Sequence, residues 1–117
     1  MLKKFSAALL AALLAACAGG EYSGRSGKTM VVSKEVWSWY KDYVTKISGV
    51  NRGIFVVGVR YGIASAAYYY YCPGTSCMTA NYSKKALDGC RSYGSQFDCM
   101  IFANSADIVV NYKVMGE

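Results

Sequence analysis

From Lys34 to Ser48 the apolar residues Val36, Tyr40, Tyr43, Val44 and Ile47 recur at the spacing of one helical face. Lys34, Lys41, Asp42, Thr45 and Lys46 supply the wet side, and Trp37 and Trp39 flank the apolar stripe. Ser33 is placed to cap this helix, Glu35 and Lys46 suit its dipole, and Gly49 stops it. The period then changes. Ile54 to Val59 is a continuous apolar run, read as a strand, and Arg60-Tyr61-Gly62-Ile63 connects it to a second strand over Ala64 to Cys72. The two should pair as a hairpin, with Tyr68 and Tyr70 on one face and Tyr69 and Tyr71 on the other. The small residues Ala64, Ser65, Ala66 and Ala67 leave room for something to approach the sheet closely. Pro73-Gly74-Thr75-Ser76 is a turn signal. A second helix is expected over Tyr82 to Tyr93, with Ala86, Leu87, Cys90 and Tyr93 on one face and Gly94 at its end. Asp98 to Ala103 and Ala106 to Val114 read as two further strands around an Asn104-Ser105 turn. The expected fold is therefore a small single α+β domain of order α-β-β-α-β-β, an antiparallel sheet with two helices.

The N-terminus has a different pattern. Lys3 and Lys4 precede an uncharged apolar run from Phe5 to Ala16, too short for a membrane span and right for a secretory signal peptide. The run ends in Leu14-Ala15-Ala16-Cys17, which resembles the lipobox of bacterial lipoproteins: an aliphatic residue, two small residues and cysteine. That resemblance implies cleavage before Cys17 and lipidation of its thiol and new amino group, and several acyl chains anchor stably where one does not. With Ala18 rather than aspartate after the cysteine, it also implies outer-membrane sorting if the cell is Gram-negative. The alternative is an ordinary cleavable signal peptide with a chance cysteine. Residues 18–29 are rich in glycine and serine and read as a tether. The expected layout is a signal peptide over 1–16, a lipidated Cys17 and flexible tether over 17–30, and a domain over 31–117.

Export changes how the cysteines are read. Beyond Cys17 there are four, Cys72, Cys77, Cys90 and Cys99, an even number suited to disulfides in an oxidising compartment. Three pairings are possible, and the local pairs Cys72–Cys77 and Cys90–Cys99, each bracketing a turn, are preferred. A four-cysteine zinc site is the rival, but the spacing lacks the paired Cys-x2-Cys of zinc ribbons, so no metal is expected. Ala86, Leu87, Cys90, Cys99, Ile101, Phe102 and Ala103 are loosely similar to a pattern in small exported bacterial domains of unknown function, which supports the Cys90–Cys99 bridge and transfers no active site.

The full chain carries a net charge of +6, of which Lys3 and Lys4 leave with the signal peptide. The remaining cations are dispersed, without the dense block of a nucleic-acid tail, so no nucleic-acid partner is expected. There is no histidine, which removes the commonest general base and the histidine-activated nucleophiles. The acids punctuate element ends, neighbouring Ser83 and Lys84 point apart on a helix, and phosphate-cradling glycine motifs are missing. An enzyme and a cofactor are not expected. What is unusual is aromatic content: eleven tyrosines and two tryptophans. Such side chains offer wide contact area with a polar tip. Trp39, Tyr69, Tyr71, Arg60 and Tyr61 are the candidate binding residues. The preferred expectation is a lipid-anchored, non-enzymatic module of the bacterial envelope that binds an envelope protein through its sheet edge or aromatic face. A binder of cell-wall glycan or lipopolysaccharide, and an exclusion or inhibitor lipoprotein, are the alternatives.

Overall fold

The computed structural model describes residues 20–49, 52–72 and 82–116. They form β1 (Met30–Val32), α1 (Lys34–Ile47), β2 (Gly53–Arg60), β3 (Ile63–Tyr71), α2 (Tyr82–Arg91), β4 (Asp98–Asn104), β5 (Asp107–Ile108) and β6 (Tyr112–Val114). The strands make one six-stranded sheet of order β5-β4-β2-β3-β1-β6. It is an α+β domain with one helix against each face. Among the described residues no helix is long and apolar enough to cross a membrane.

Local chemistry sets the helix and hairpin ends as expected. The Ser33 hydroxyl accepts from the Val36 amide at 3.1 Å, capping α1, and Gly49 follows its end at φ 93°. The β2–β3 hairpin turns on Tyr61 and Gly62, whose φ angles of 57° and 77° are both positive, the geometry of a tight two-residue turn. A bulge between Gly58 and Val59 then shifts the register of β3.

Two expectations are corrected, and a third is met in part. The element order differs: a short strand, β1, precedes the first helix, and the run from 106 to 114 is two strands. β5 pairs with β4 at one end of the sheet, while β6 pairs with β1 at the other. The break falls at Val109–Asn111, where Val110 turns into the core and the Asn111 side-chain amide Nδ2 donates to the Gly24 carbonyl at 2.6 Å. The sheet is mixed rather than antiparallel, because β1 runs parallel to both β3 and β6. Of the two expected disulfides, Cys90–Cys99 is formed, and Cys72–Cys77 falls on Cys77, outside the described residues.

The segment read as a tether is fastened to the domain from Glu21 onward. Tyr22 is buried, its carbonyl accepts from the Asn111 amide at 2.8 Å, and the Lys28 amide donates to the Glu21 carbonyl at 2.8 Å.

The sheet curls so that β4 and β6, far apart in strand order, meet through Phe102 and Tyr112 with ring centroids 5.5 Å apart. α1 lies in this concavity. Its buried Val36, Tyr40, Tyr43 and Ile47 pack with Phe55, Val57, Val59, Phe102, Met30 and Val32 as the main core. The smaller core under α2 is Ile54, Val56, Ala86 and Cys90. The tyrosine run divides as alternation demands: Tyr69 and Tyr71 pack toward α1, Tyr70 toward α2.

Candidate functional site

β3 is the longest strand, yet β1 pairs only with its first two residues, Ile63 and Ala64. The cause is Ser33. Its amide donates to the Ala64 carbonyl at 3.0 Å, and its hydroxyl then starts α1, which lifts the chain out of the sheet. Among the described residues, β3 from Ala66 to Tyr71 has a strand neighbour on one side only, β2.

Hydrogen bonding shows which groups face the bare side. The Cys72 amide bonds the Arg52 carbonyl, toward β2. Counting back by twos, Tyr70, Tyr68 and Ala66 also face β2, so the backbone N–H and C=O groups of Ala67, Tyr69 and Tyr71 face outward. The Ala67 carbonyl, on this outer side, accepts the Tyr93 hydroxyl at 3.1 Å.

This edge is the floor of a groove of about 330 Å³ lined by Trp39, Ser65, Ala66, Ala67, Tyr93 and Phe97. A smaller recess over Trp39, Ala67, Tyr69 and Tyr93 adjoins it. Trp39 comes from the flank of α1 that also carries Lys46, two turns on, and is 46% exposed. Tyr93 follows the last turn of α2 and is 48% exposed. Phe97 lies on Gly58, where an added Cβ would stand 3.1 Å from its ring. Small side chains on β2 and β3 make this approach possible.

At the Tyr69 end, the Lys46 ammonium donates to the Tyr69 hydroxyl at 2.8 Å, lies 5.4 Å from the ring centroid and pairs with Asp42 at 3.3 Å. These contacts, the tyrosine hydrogen bond first, hold the Lys46 pKa above its ordinary value. The acids Glu21, Asp42 and Asp88 are engaged in exposed ion pairs with Lys28, Lys46, and Lys84 with Arg91. The Lys84 ammonium beside it holds the Asp88 carboxyl below the usual carboxylate range. Among the described residues, no three histidine, cysteine, aspartate or glutamate side chains converge as metal ligands would.

Of the candidates read from the sequence, Trp39 lines the groove and shares the adjoining recess with Tyr69. Tyr71 is the next outward residue of β3, its ring 6.4 Å from that of Tyr69. Arg60 and Tyr61 are not part of it: they sit at the hairpin tip, with the guanidinium 5.0 Å from the Tyr61 ring centroid. Cys17 and Cys77 lie outside the described residues. Tyr93 and Phe97 are groove residues that sequence reasoning missed as binding positions. Tyr93 reads as one more apolar position of the second helix, and Phe97 lies in a loop without periodicity. Ser65, Ala66 and Ala67 carried a signal, the run of small residues. Comparison of the chain with protein-family models, with curated proteins and with solved structures finds no match.

Proposed function

We propose that this chain is a lipid-anchored bacterial envelope protein, held at Cys17, and that it is a non-enzymatic module which binds an envelope protein in the groove beside β3. The observation that carries the reading is the groove itself: a length of strand edge unpaired among the described residues, floored by Ala66 and Ala67 and walled by Trp39, Tyr93 and Phe97. Half-exposed aromatic side chains around a small-residue floor favour burial by a protein partner, since tryptophan and tyrosine supply large contact area at little entropic cost. The anchor rests on the lipobox-like Leu14-Ala15-Ala16-Cys17.

Two measurements test this in the expressing bacterium. A tagged fatty acid should label the wild-type protein and not Cys17→Ser; label on neither removes the anchor from the reading. A photo-crosslinking amino acid at Ser65, in the groove, should give a discrete adduct that Trp39→Ala abolishes, while the same group at exposed Lys84 on α2 gives none. Identical adducts from both positions would sink the groove as the binding site.

A further inference from the structure

We infer that the occupant of the groove is an extended polypeptide segment that adds to the sheet as a strand beside β3; this rests on the docking role proposed above. Three features point to a strand rather than a helix or a folded surface. Ala67, Tyr69 and Tyr71 present N–H and C=O groups outward along the same edge, the repeat that an incoming strand matches group for group. The edge from Ala66 to Tyr71, open among the described residues, spans roughly 20 Å, enough for a strand of about six residues. The walls lie on opposite sides of the sheet plane, Trp39 on the α1 side and Phe97 on the α2 side against Gly58, so they flank an added strand above and below. Alternate side chains of the guest would then meet Trp39 on one side and Phe97 on the other. An exposed edge of this kind is a liability unless covered or used. Here the Tyr93 hydroxyl occupies the Ala67 carbonyl, which a guest N–H would take over.

The test uses the full chain purified in detergent and a phage-displayed library of linear twelve-residue peptides. Ala67→Pro deletes one outward N–H without removing a β2–β3 ladder bond, because the Ala67 amide faces away from β2. Ala67→Ser keeps that N–H and is the control, and circular dichroism checks that both variants are folded. Peptides selected on wild type and on Ala67→Ser should lose at least tenfold in affinity on Ala67→Pro, and on binding should slow amide exchange at Ala67, Tyr69 and Tyr71. Tyr93→Phe, which frees the Ala67 carbonyl, should tighten binding about fivefold. Peptides that bind Ala67→Pro as well as wild type but are lost with Trp39→Ala would overturn strand addition while leaving the groove as a docking site. No enrichment on wild type would also overturn it, with the Ser65 crosslink deciding separately whether a partner sits there. A dimer seen by sedimentation and dissolved by Ala67→Pro would overturn it in favour of a second copy of this chain.

Discussion

The two faces of the sheet are held by different means. Against α1 lies a continuous aromatic cluster: Tyr40 meets Trp37, Tyr43, Phe55 and Phe102 at centroid distances between 5.2 and 5.9 Å, and Tyr43 continues the contacts to Tyr69. Against α2 the fully enclosed residues are few and small, Ile54, Val56, Ala86 and Cys90, and a covalent link from Cys90 to Cys99 ties the helix to β4. A fourteen-residue helix with four buried anchors can rely on removing surface from water. A ten-residue helix with two cannot, and the disulfide supplies the difference. The groove lies between the two systems, taking Trp39 from the aromatic face and Tyr93 and Phe97 from the cross-linked one.

The strongest way to break this comparison is Phe102→Ala. Phe102 is fully buried and touches Tyr40, Phe55 and Tyr112. Its truncation should cost about 3–5 kcal/mol in urea unfolding. A loss under about 1 kcal/mol would mean that the aromatic cluster collapses around the gap and is not the principal support.

Removing the Cys90–Cys99 bridge as Cys90→Ala with Cys99→Ala should cost less, about 2–3 kcal/mol for so short a loop. The location of the effect matters more than its size. Amide exchange should speed up mainly in α2, while α1 keeps its protection relative to the new global stability. Equal loss in both helices would show one cooperative unit and remove the distinction between the faces.

A smaller effect tests a polar part of the α1 face. The Tyr43 hydroxyl donates to the Ser105 carbonyl at 2.7 Å and that of Tyr40 to the Ala106 carbonyl at 3.3 Å, tying α1 to the β4–β5 turn. Burial, and then the neighbouring Tyr40 phenol, pushes the Tyr43 pKa well above its ordinary value; burial does the same to Tyr40. The folded state thus keeps protons that the unfolded chain releases near pH 10. Stability from these groups is fully present below pH of about 10 and is lost as the pH rises from there toward the folded-state values. Tyr43→Phe should cost about 1 kcal/mol at neutral pH and flatten the alkaline decline. An unchanged alkaline limb would assign that decline to other groups.

How much of this was legible depends on range. The helices, the hairpin and the sorting of Tyr68 to Tyr71 follow from local periodicity, and the Ser33 cap and Gly49 stop are written in single residues. β1, and the split of the 106–114 run into β5 and β6, were not legible, since such short strands carry almost no pattern and the β1–β6 pairing, Met30 with Tyr112 and Val32 with Val114, joins distant parts of the chain. The same pairing fastens the glycine-rich segment around Tyr22, because Asn111, next to β6, receives it. The groove was half legible. Trp39 and Tyr69 stand out as aromatics, but the open edge exists only because β1 ends at Ser33, and β1 itself was invisible. Tyr93 enters through the position of its hydroxyl on Ala67, a contact that no sequence spacing encodes.

The smallest change sharpens the comparison by acting on strands common to both faces. Tyr61 is 87% exposed and sits at φ 57°, a conformation that costs a residue with a bulky side chain roughly 1 kcal/mol and that asparagine tolerates well. Paired with Gly62, the substitution Tyr61→Asn gives the two-residue turn its preferred chemistry. Against this stands the exposed contact with Arg60, about 0.5 kcal/mol. The balance favours the substitution, and the midpoint of thermal unfolding should rise by about 2–4 °C. Because β2 and β3 run under both helices, amide protection in α1 and α2 should rise together, unlike the one-sided loss expected on removing the disulfide. A lower midpoint would mean that the Arg60–Tyr61 contact outweighs the backbone strain; Arg60→Ala in the wild-type background, which removes only that contact, would then lower the midpoint by a similar amount.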